Sequence, residues 1–437
     1  MNETDTHPPT LAAGRPCEGV EIPPGPAGLE VLLPALKSAM SGAGPAVAPL
    51  PGSGSQSYRA AIRSAVAPGD AVAAEVAVVA STSGSTGDPA GVLLPGSGLR
   101  AAAQGFAERT GQPEGHRWVA ALPLHHAGGL MVAVRSVVAG TDPIAVASLG
   151  GAEPFTVEAF ETATGKAVGL SAVDDRPLAV SLVPPMLAIL DASGARGWDL
   201  LAEYDAVLVG GAATPRALVD RLLFAGVHVF TSYGMTETCG GAVFDGRPLP
   251  GVRVEADSEG RLTISGPQVA LGYRDGRQAG RWSTNEGGQR CFRTDDLGRV
   301  SADGLVVVEG RSDDVVQIGG SSVSLSAVRT VLEAHPRVAA AESVALPDPD
   351  WGSRLVALVV PSGAEPKGPG PRGPGPTSDA VPSALAEELG AAVERELGRA
   401  ARPRSVHTVN ALPILESGKV DRGAVLEWAR DLDRITR

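Results

Sequence analysis

Tyr204-Asp-Ala-Val-Leu-Val-Gly-Gly211 is the stretch on which the fold turns. A short run of apolar, β-prone residues closing on two glycines reads as a buried strand that ends in a tight turn. Pro215 to Ala225 follows with a proline at a helix start and apolar residues at helical spacing. Val227-His-Val-Phe-Thr-Ser232 then reads as the next strand. Strand, helix and strand in that order make a crossover unit, and its glycine-rich exit loop is where ligands bind in such folds. The same alternation runs from about Val72 to Gly240, which predicts an α/β fold.

Outward from this unit the pattern changes. From Val252 to Val308 short β-like pieces are separated by turns such as Asp257-Ser-Glu-Gly260 and Ala302-Asp-Gly304, the spacing of hairpins rather than crossovers. This predicts a β-rich subdomain within a large N-terminal domain, residues 1–310. A charged turn, Arg311-Ser-Asp-Asp314, precedes a helix expected over Val323 to Glu333 and strands around Val338 to Ala345 and Leu355 to Val360. Residues 311–437 are therefore read as a small α+β C-terminal domain. Inside it, Pro361 to Ser383 carries Gly-Pro-Gly-Pro-Arg-Gly-Pro-Gly-Pro, which supports neither a helix nor a central strand and is read as a solvated loop at 361–383.

The chain has 437 residues, 43% hydrophobic and 20% charged, enough for two or three cored domains. A net charge of -12 without a basic block argues against nucleic acid as a partner. The three cysteines, Cys17, Cys239 and Cys291, lack metal-ligand spacing and form no disulfide framework, which suits a reducing cytoplasm. No apolar run reaches the roughly 20 residues of a membrane helix, and the start lacks signal-peptide order. A soluble cytoplasmic protein is expected, with homo-oligomerisation left open.

Ser81-Thr-Ser-Gly-Ser-Thr-Gly-Asp-Pro-Ala-Gly91 directly follows the apolar run Val76 to Ala80. Small residues let a backbone approach an anion closely, and the amides and hydroxyls of Ser83, Gly84, Ser85, Thr86 and Gly87 offer many donors to a triphosphate. The Gly-Lys-Ser/Thr ending of the common P-loop is missing, so a generic kinase or ATPase is not the reading. Thr236 and Glu237, within Tyr233-Gly-Met-Thr-Glu-Thr238, place a hydroxyl beside a carboxylate, a pair suited to a phosphate and its Mg²⁺.

Five motifs in fixed order carry a resemblance: the Ser81–Gly91 loop, Tyr233 to Thr238, Arg293-Thr-Asp-Asp-Leu-Gly298, Gly310 to Asp314, and Ser417-Gly-Lys-Val-Asp-Arg422. Together they resemble the adenylate-forming superfamily of acyl-CoA synthetases, luciferases and nonribosomal peptide adenylation domains, from Val76 to about Leu426. The resemblance implies that Tyr233 packs on adenine beside Gly234. It places Gly210, Gly211 and Ala212 at the adenine and the acyl pocket, although a plain strand-to-helix turn also explains that loop. Asp296 would take both ribose hydroxyls, with the following Leu-Gly-Arg fixing the register against Asp295. Arg311 would reach the ribose, Glu237 would hold Mg²⁺, and Asp313 would be the hinge of a mobile C-terminal domain. Lys419 would be the catalytic cation at the acyl carboxylate and α-phosphate, and Gly319-Gly320 would line the thiol tunnel. The cofactors implied are ATP, Mg²⁺ and coenzyme A as co-substrate, and the partner is a small-molecule carboxylate. Two positions depart from the family. Ala90 stands where its phosphate loop carries lysine, so ATP use is expected to persist with weaker binding, and Gln317 replaces a lysine found in some relatives.

Leu122-Pro-Leu-His-His-Ala-Gly-Gly-Leu130, Val134-Arg-Ser136 and Ser181-Leu-Val-Pro184, with the short chain, resemble the o-succinylbenzoate–CoA ligases of menaquinone biosynthesis. That substrate has two carboxylates, so a cation is expected to hold the unreactive one. Arg135 and His126 are the candidates, each with a structural alternative: a helix-surface charge for Arg135 and a gate or packing residue for His126. Another aryl- or fatty acyl-CoA ligase shares these motifs, and so does a stand-alone adenylation protein that delivers acyl-AMP to a carrier.

Overall fold

The computed structural model describes residues 14–82, 89–151, 153–362, 383–414 and 420–435. The chain divides into two compact units. One comprises Met1–Gly211, Leu222–Arg253 and Ile264–Phe292, and the other Ala212–Arg221, Val254–Thr263 and Arg293–Arg437. The first division point after the β-rich segment thus falls near 293, ahead of the turn at 311. The reason is a hydrogen-bonded ladder. Strand Arg261–Ser265 pairs with Arg290–Val300, which pairs with Val306–Arg311, and Thr294 Oγ1 donates to the Leu262 carbonyl at 2.8 Å. Residues 254–263 therefore belong with 293–311.

The first unit holds two sheets. Cys17–Ile22, Ala46–Pro51 and Val76–Ser81 run parallel, and Gly91–Pro95 returns antiparallel. Helices Pro26–Ser41 and Gln56–Val66 make the crossovers. The second sheet has seven strands, of which Ile144–Ala145, Arg117–Ala120, Leu178–Leu182, Ala206–Val209 and Val229–Met235 are parallel neighbours in that order. Arg117–Ala120, Leu178–Leu182 and Ala206–Val209 are buried throughout, as continuous apolar runs in a sheet covered on both faces must be. The unit expected from Tyr204 to Ser232 is present as Ala206–Val209, helix Arg216–Phe224 and Val229–Met235. Its strands pair Val207 with Val229 and Val209 with Thr231.

After Met235 the chain makes a single helical turn, Thr236–Thr238, and returns as the antiparallel strand Gly240–Phe244. Gly234 faces Gly241 across this reversal. A methyl group on Gly234 would lie 2.2 Å from the Gly240 carbonyl oxygen, so only glycine permits the approach.

In the second unit, strands Val338–Asp348, Gly352–Pro361 and Ser405–Thr408 form a sheet covered on both faces. Alternation decides which helix covers which face. Leu355, Ala357 and Val359 pack with Val328, Leu332, Leu389 and Val393 of helices Leu325–Glu333 and Ser383–Leu397. Val356 and Leu358 pack on the other face with Val425, Ala429 and Leu432 of helix Arg422–Ile435. The Pro/Gly-rich segment lies almost wholly outside the described residues. Among the described residues no helix is long and apolar enough to cross a membrane.

Gly234→Ala is expected to destabilise the first unit by about 1–3 kcal/mol, the range for a forced overpacking. A lowered urea midpoint checks this, and an unchanged midpoint would mean the reversal relaxes freely.

Candidate active site

Parallel strands direct all their carboxyl ends to one edge of a sheet, and the loops leaving that edge are brought together whatever their separation in sequence. Here those loops contain His125 and His126 after Arg117–Ala120, Val183 after Leu178–Leu182, Gly210 and Gly211 after Ala206–Val209, and Tyr233 to Thr238 at the end of Val229–Met235. Tyr233 and Gly234 are half-buried there, and Gly210 packs against Ser232.

Glu237 is buried, 8% exposed, in a region that offers a carboxylate little water. The Tyr273 hydroxyl donates to its Oε1 at 2.6 Å, and its backbone carbonyl accepts from the Ala270 amide at 2.9 Å. Tyr273 in turn is fixed by the strand that leaves the expected phosphate loop. The Leu271 amide donates to Leu93, the Leu93 amide to Gly272 and the Arg274 amide to Gly91, at 2.9, 3.0 and 2.8 Å. Thr238 closes the turn, accepting from the Met235 amide and donating to the Gly240 carbonyl. The neighbouring Cys239 is buried, and burial raises its thiol to about 12, so it is a packing thiol rather than a nucleophile.

The proposed phosphate-loop residues Ser83, Gly84, Ser85, Thr86 and Gly87 lie outside the described residues. Their flanks are well defined: Thr82 and Ala90 bond each other, amide to carbonyl at 2.8 Å and amide to Thr82 Oγ1 at 2.9 Å. Ala90 is 6% exposed and belongs to the core, so this position is an apolar packing site.

His125 and His126 both lie 3.0 Å through Nε2 from the Tyr58 hydroxyl, and their rings sit 4.3 Å apart. A phenol has one proton, so it donates to one ring nitrogen and accepts from the other. Burial lowers His125 to about 4, which keeps it neutral near pH 7. His126 caps helix Ala127–Ala139. Tyr58, His125 and Tyr273 were not singled out by motif, since each meets its partner across 36 or more residues of sequence.

Arg135 requires a correction. It is neither a surface charge nor at the carboxyl edge. At 100° per residue, nine residues on from His126 is the opposite side of the same helix, about 13 Å further along its axis. There the guanidinium is buried over the rings of Phe106 and Trp118, 4.8 and 5.1 Å from their centroids. It is not placed to share a substrate with His126.

Within the second unit, Asp296 and Arg311 are directly paired across adjacent strands, with Nη1 3.6 Å from Oδ1. Arg311 also holds Asp313 with both carboxylate oxygens, at 2.8 and 2.9 Å, and lies 3.5 Å from Asp295. Asp295 is itself paired with Arg261 at 3.3 Å, while Asp296 is buried. These contacts, the Asp313 bond first, hold Arg311 above its ordinary value. Burial pushes the Asp313 carboxyl up, but the Arg311 bond and charge outweigh it and leave it below the usual range. Asp314 accepts from both terminal nitrogens, Nη1 and Nη2, of the Arg422 guanidinium. Gly319 and Gly320, both at positive φ, form the two-residue turn between Val315–Ile318 and Ser321–Ser324, with Trp351 packed over Gly319. Ala212 is exposed, and Lys419 lies outside the described residues.

Comparison with known proteins places this arrangement. Residues 40–274 match the AMP-binding enzyme family and residues 328–419 the AMP-binding enzyme C-terminal domain. The chain belongs to the AMP-binding enzymes, the adenylate-forming family expected from its motifs. It is 34% identical over 93% of its length, and 97% of the relative's, to the probable 2-succinylbenzoate–CoA ligase of Mycobacterium tuberculosis (strain CDC 1551 / Oshkosh). The 2-succinylbenzoate–CoA ligase of Enterococcus faecalis is 26% identical over 82% of this chain and 70% of its own. Among solved structures, o-succinylbenzoate CoA synthetase (MenE) from Bacillus subtilis in complex with the acyl-adenylate intermediate OSB-AMP superposes with a TM-score of 0.67 at 21% identity. It covers 94% of this chain and 88% of that one. The amide bond synthetase McbA from Marinactinospora thermotolerans gives 0.68 at 23% identity, covering 96% and 90%.

A histidine held neutral by burial gives stability a defined pH dependence. As pH falls from 6.5 to about 4 the unfolded chain takes up a proton that folded His125 refuses, so stability is lost across that window and is unaffected above it. The full loss is roughly 3 kcal/mol. The urea midpoint of the non-titrating His125→Gln variant is expected to fall less between pH 6.5 and 4.5 than that of the parent, and parallel declines would contradict the assignment.

Proposed function

We propose that this chain is an ATP-dependent 2-succinylbenzoate–CoA ligase of menaquinone biosynthesis, acting in the cytoplasm. The observation that carries the substrate is the 34% identity to the mycobacterial ligase across nearly the full length of both chains. The site geometry supports the chemistry. A carboxylate oxygen of the substrate attacks the α-phosphorus of ATP, the bond to the bridging β-phosphate oxygen breaks, and pyrophosphate leaves. The thiol sulfur of coenzyme A then attacks the acyl carbon of the adenylate, AMP departs, and the thiol proton goes to solvent.

In this reading Tyr233 stacks on adenine, with Gly210, Gly211, Ala212 and Gly234 lining the nucleotide and acyl pocket without side chains that block them. Asp296 accepts from the ribose hydroxyls while Arg311, anchored by Asp313, is held in register beside it. His126, linked through Tyr58 to neutral His125, orients or gates the acyl group. Lys419 offsets the charge that builds as the carboxylate meets the α-phosphate. Rotation of the C-terminal domain about Asp313 would exchange Lys419 for the Gly319-Gly320 turn between the two steps.

Among the described residues no three metal-ligating side chains cluster. Glu237 beside the Thr236 hydroxyl is the donor set that fits Mg²⁺, which is held through one or two carboxylates plus substrate phosphates. Bound there, Mg²⁺ supplies positive charge to the triphosphate; Tyr273 fixes the carboxylate that holds it.

Two measurements test the reading. With ATP and coenzyme A, a panel of carboxylates is expected to give an acyl-CoA mass with 2-succinylbenzoate and AMP as co-product, with Lys419→Ala slowed by roughly 10²–10³ in pyrophosphate release; no product with 2-succinylbenzoate, but turnover of another acid, would replace the substrate. Tyr273→Phe is expected to raise the Mg²⁺ concentration for half-maximal rate about tenfold, the lower end of outer-shell effects. An unchanged Mg²⁺ dependence would remove Glu237 from the metal.

A further inference from the structure

Arg135 is a buried charge that the proposed reaction does not use. Its side chain is 5% exposed, and among the described residues it makes no hydrogen bond or ion pair; its Nε is buried without a partner. Stacking on Phe106 and Trp118 supplies attraction to the faces of the guanidinium but nothing to its N–H edge. Beside it His116, 1% exposed, has Nε2 buried and likewise unpartnered, its ring 5.6 Å from Phe106 and 6.0 Å from Trp118. Burying an unpaired guanidinium costs several kcal/mol, and proteins that retain one place an anion against it.

Both groups line a cavity of about 170 Å³. Its walls are Phe106 and Trp118, and Gln104, Glu114 and Val138 stand at its rim, exposed enough to make it open to solvent. It lies at the amino end of strand Arg117–Ala120, whereas His126 follows the carboxyl end of that strand. The cavity is thus at the opposite edge of the sheet from the loops that carry Tyr233 and Glu237.

We propose that this cavity is a second binding site, for a small aromatic carboxylate. The carboxylate meets the two-pronged N–H edge of Arg135, which is matched to its paired oxygens. The apolar ring of the ligand lies among Phe106, Trp118 and Val138, with the His116 side chain in the same wall. Helix Ala127–Ala139 begins beside His126 and carries Arg135 towards its other end.

Benzoate is the probe, titrated calorimetrically into the full-length protein. Two variants separate this cavity from the acyl pocket: Arg135→Met removes the cation at similar volume, and Val138→Trp obstructs the rim with Arg135 in place. Benzoate is expected to bind the parent and raise its melting temperature. Affinity should fall at least tenfold in Arg135→Met and Val138→Trp, with both variants folded by circular dichroism. Without benzoate, Arg135→Met should melt no lower than the parent, since it loses an unpaired buried charge. Absence of binding to the parent, or equal binding to all three proteins as expected for occupation of the acyl pocket alone, would overturn the site. Neither result bears on whether 2-succinylbenzoate is turned over.

Discussion

The hydrogen bond from Tyr273 to Glu237 is the interaction on which the first unit's site depends. Glu237 sits at the end of a parallel strand in the seven-stranded sheet, and Tyr273 sits beside Gly91–Pro95, an edge strand of the other sheet. One bond therefore ties the strand that follows the proposed phosphate loop to the carboxylate proposed to hold the metal. A buried carboxylate loses much of its hydration, and a phenol donor at 2.6 Å returns part of it while fixing the direction of the group. The single helical turn Thr236–Thr238, with the close glycine approach at Gly234, places this carboxylate at the sheet edge.

A comparable economy governs the second unit. Arg311 engages Asp313 with two bonds and approaches Asp295 and Asp296. The residue assigned to the ribose and the residue assigned to the hinge are thus parts of one ion cluster. Asp314, next in sequence, turns the other way to Arg422 at the start of the last helix. The turn from 311 to 314 is thus held by arginine on both sides.

How far the sequence speaks for itself follows the range of each interaction. The crossover unit from Tyr204 to Ser232 was legible because its apolar period, proline and glycines are local signals. Asp296 and Arg311 could be singled out because each sits in its own short motif; that they pair across the antiparallel ladder is visible only in the fold. Tyr58 with the two histidines, and Tyr273 with Glu237, were not legible, because neither pair is near in sequence and a lone tyrosine carries no motif. The division near 293 was hidden for a related reason: strand Arg290–Val300 is continuous, and only its pairing with 261–265 assigns its second half. Arg135 was misplaced although its spacing from His126 already put it on the far side of the helix.

The proposed ligase reaction begins with formation of an acyl-adenylate and release of pyrophosphate. Exchange of labelled pyrophosphate into ATP isolates that step. With 2-succinylbenzoate and Mg²⁺ present and coenzyme A absent, label should enter ATP, and omission of the acid should stop it. Exchange that fails with the acid present, or that proceeds only when coenzyme A is added, would contradict an acyl-adenylate formed at this sheet edge.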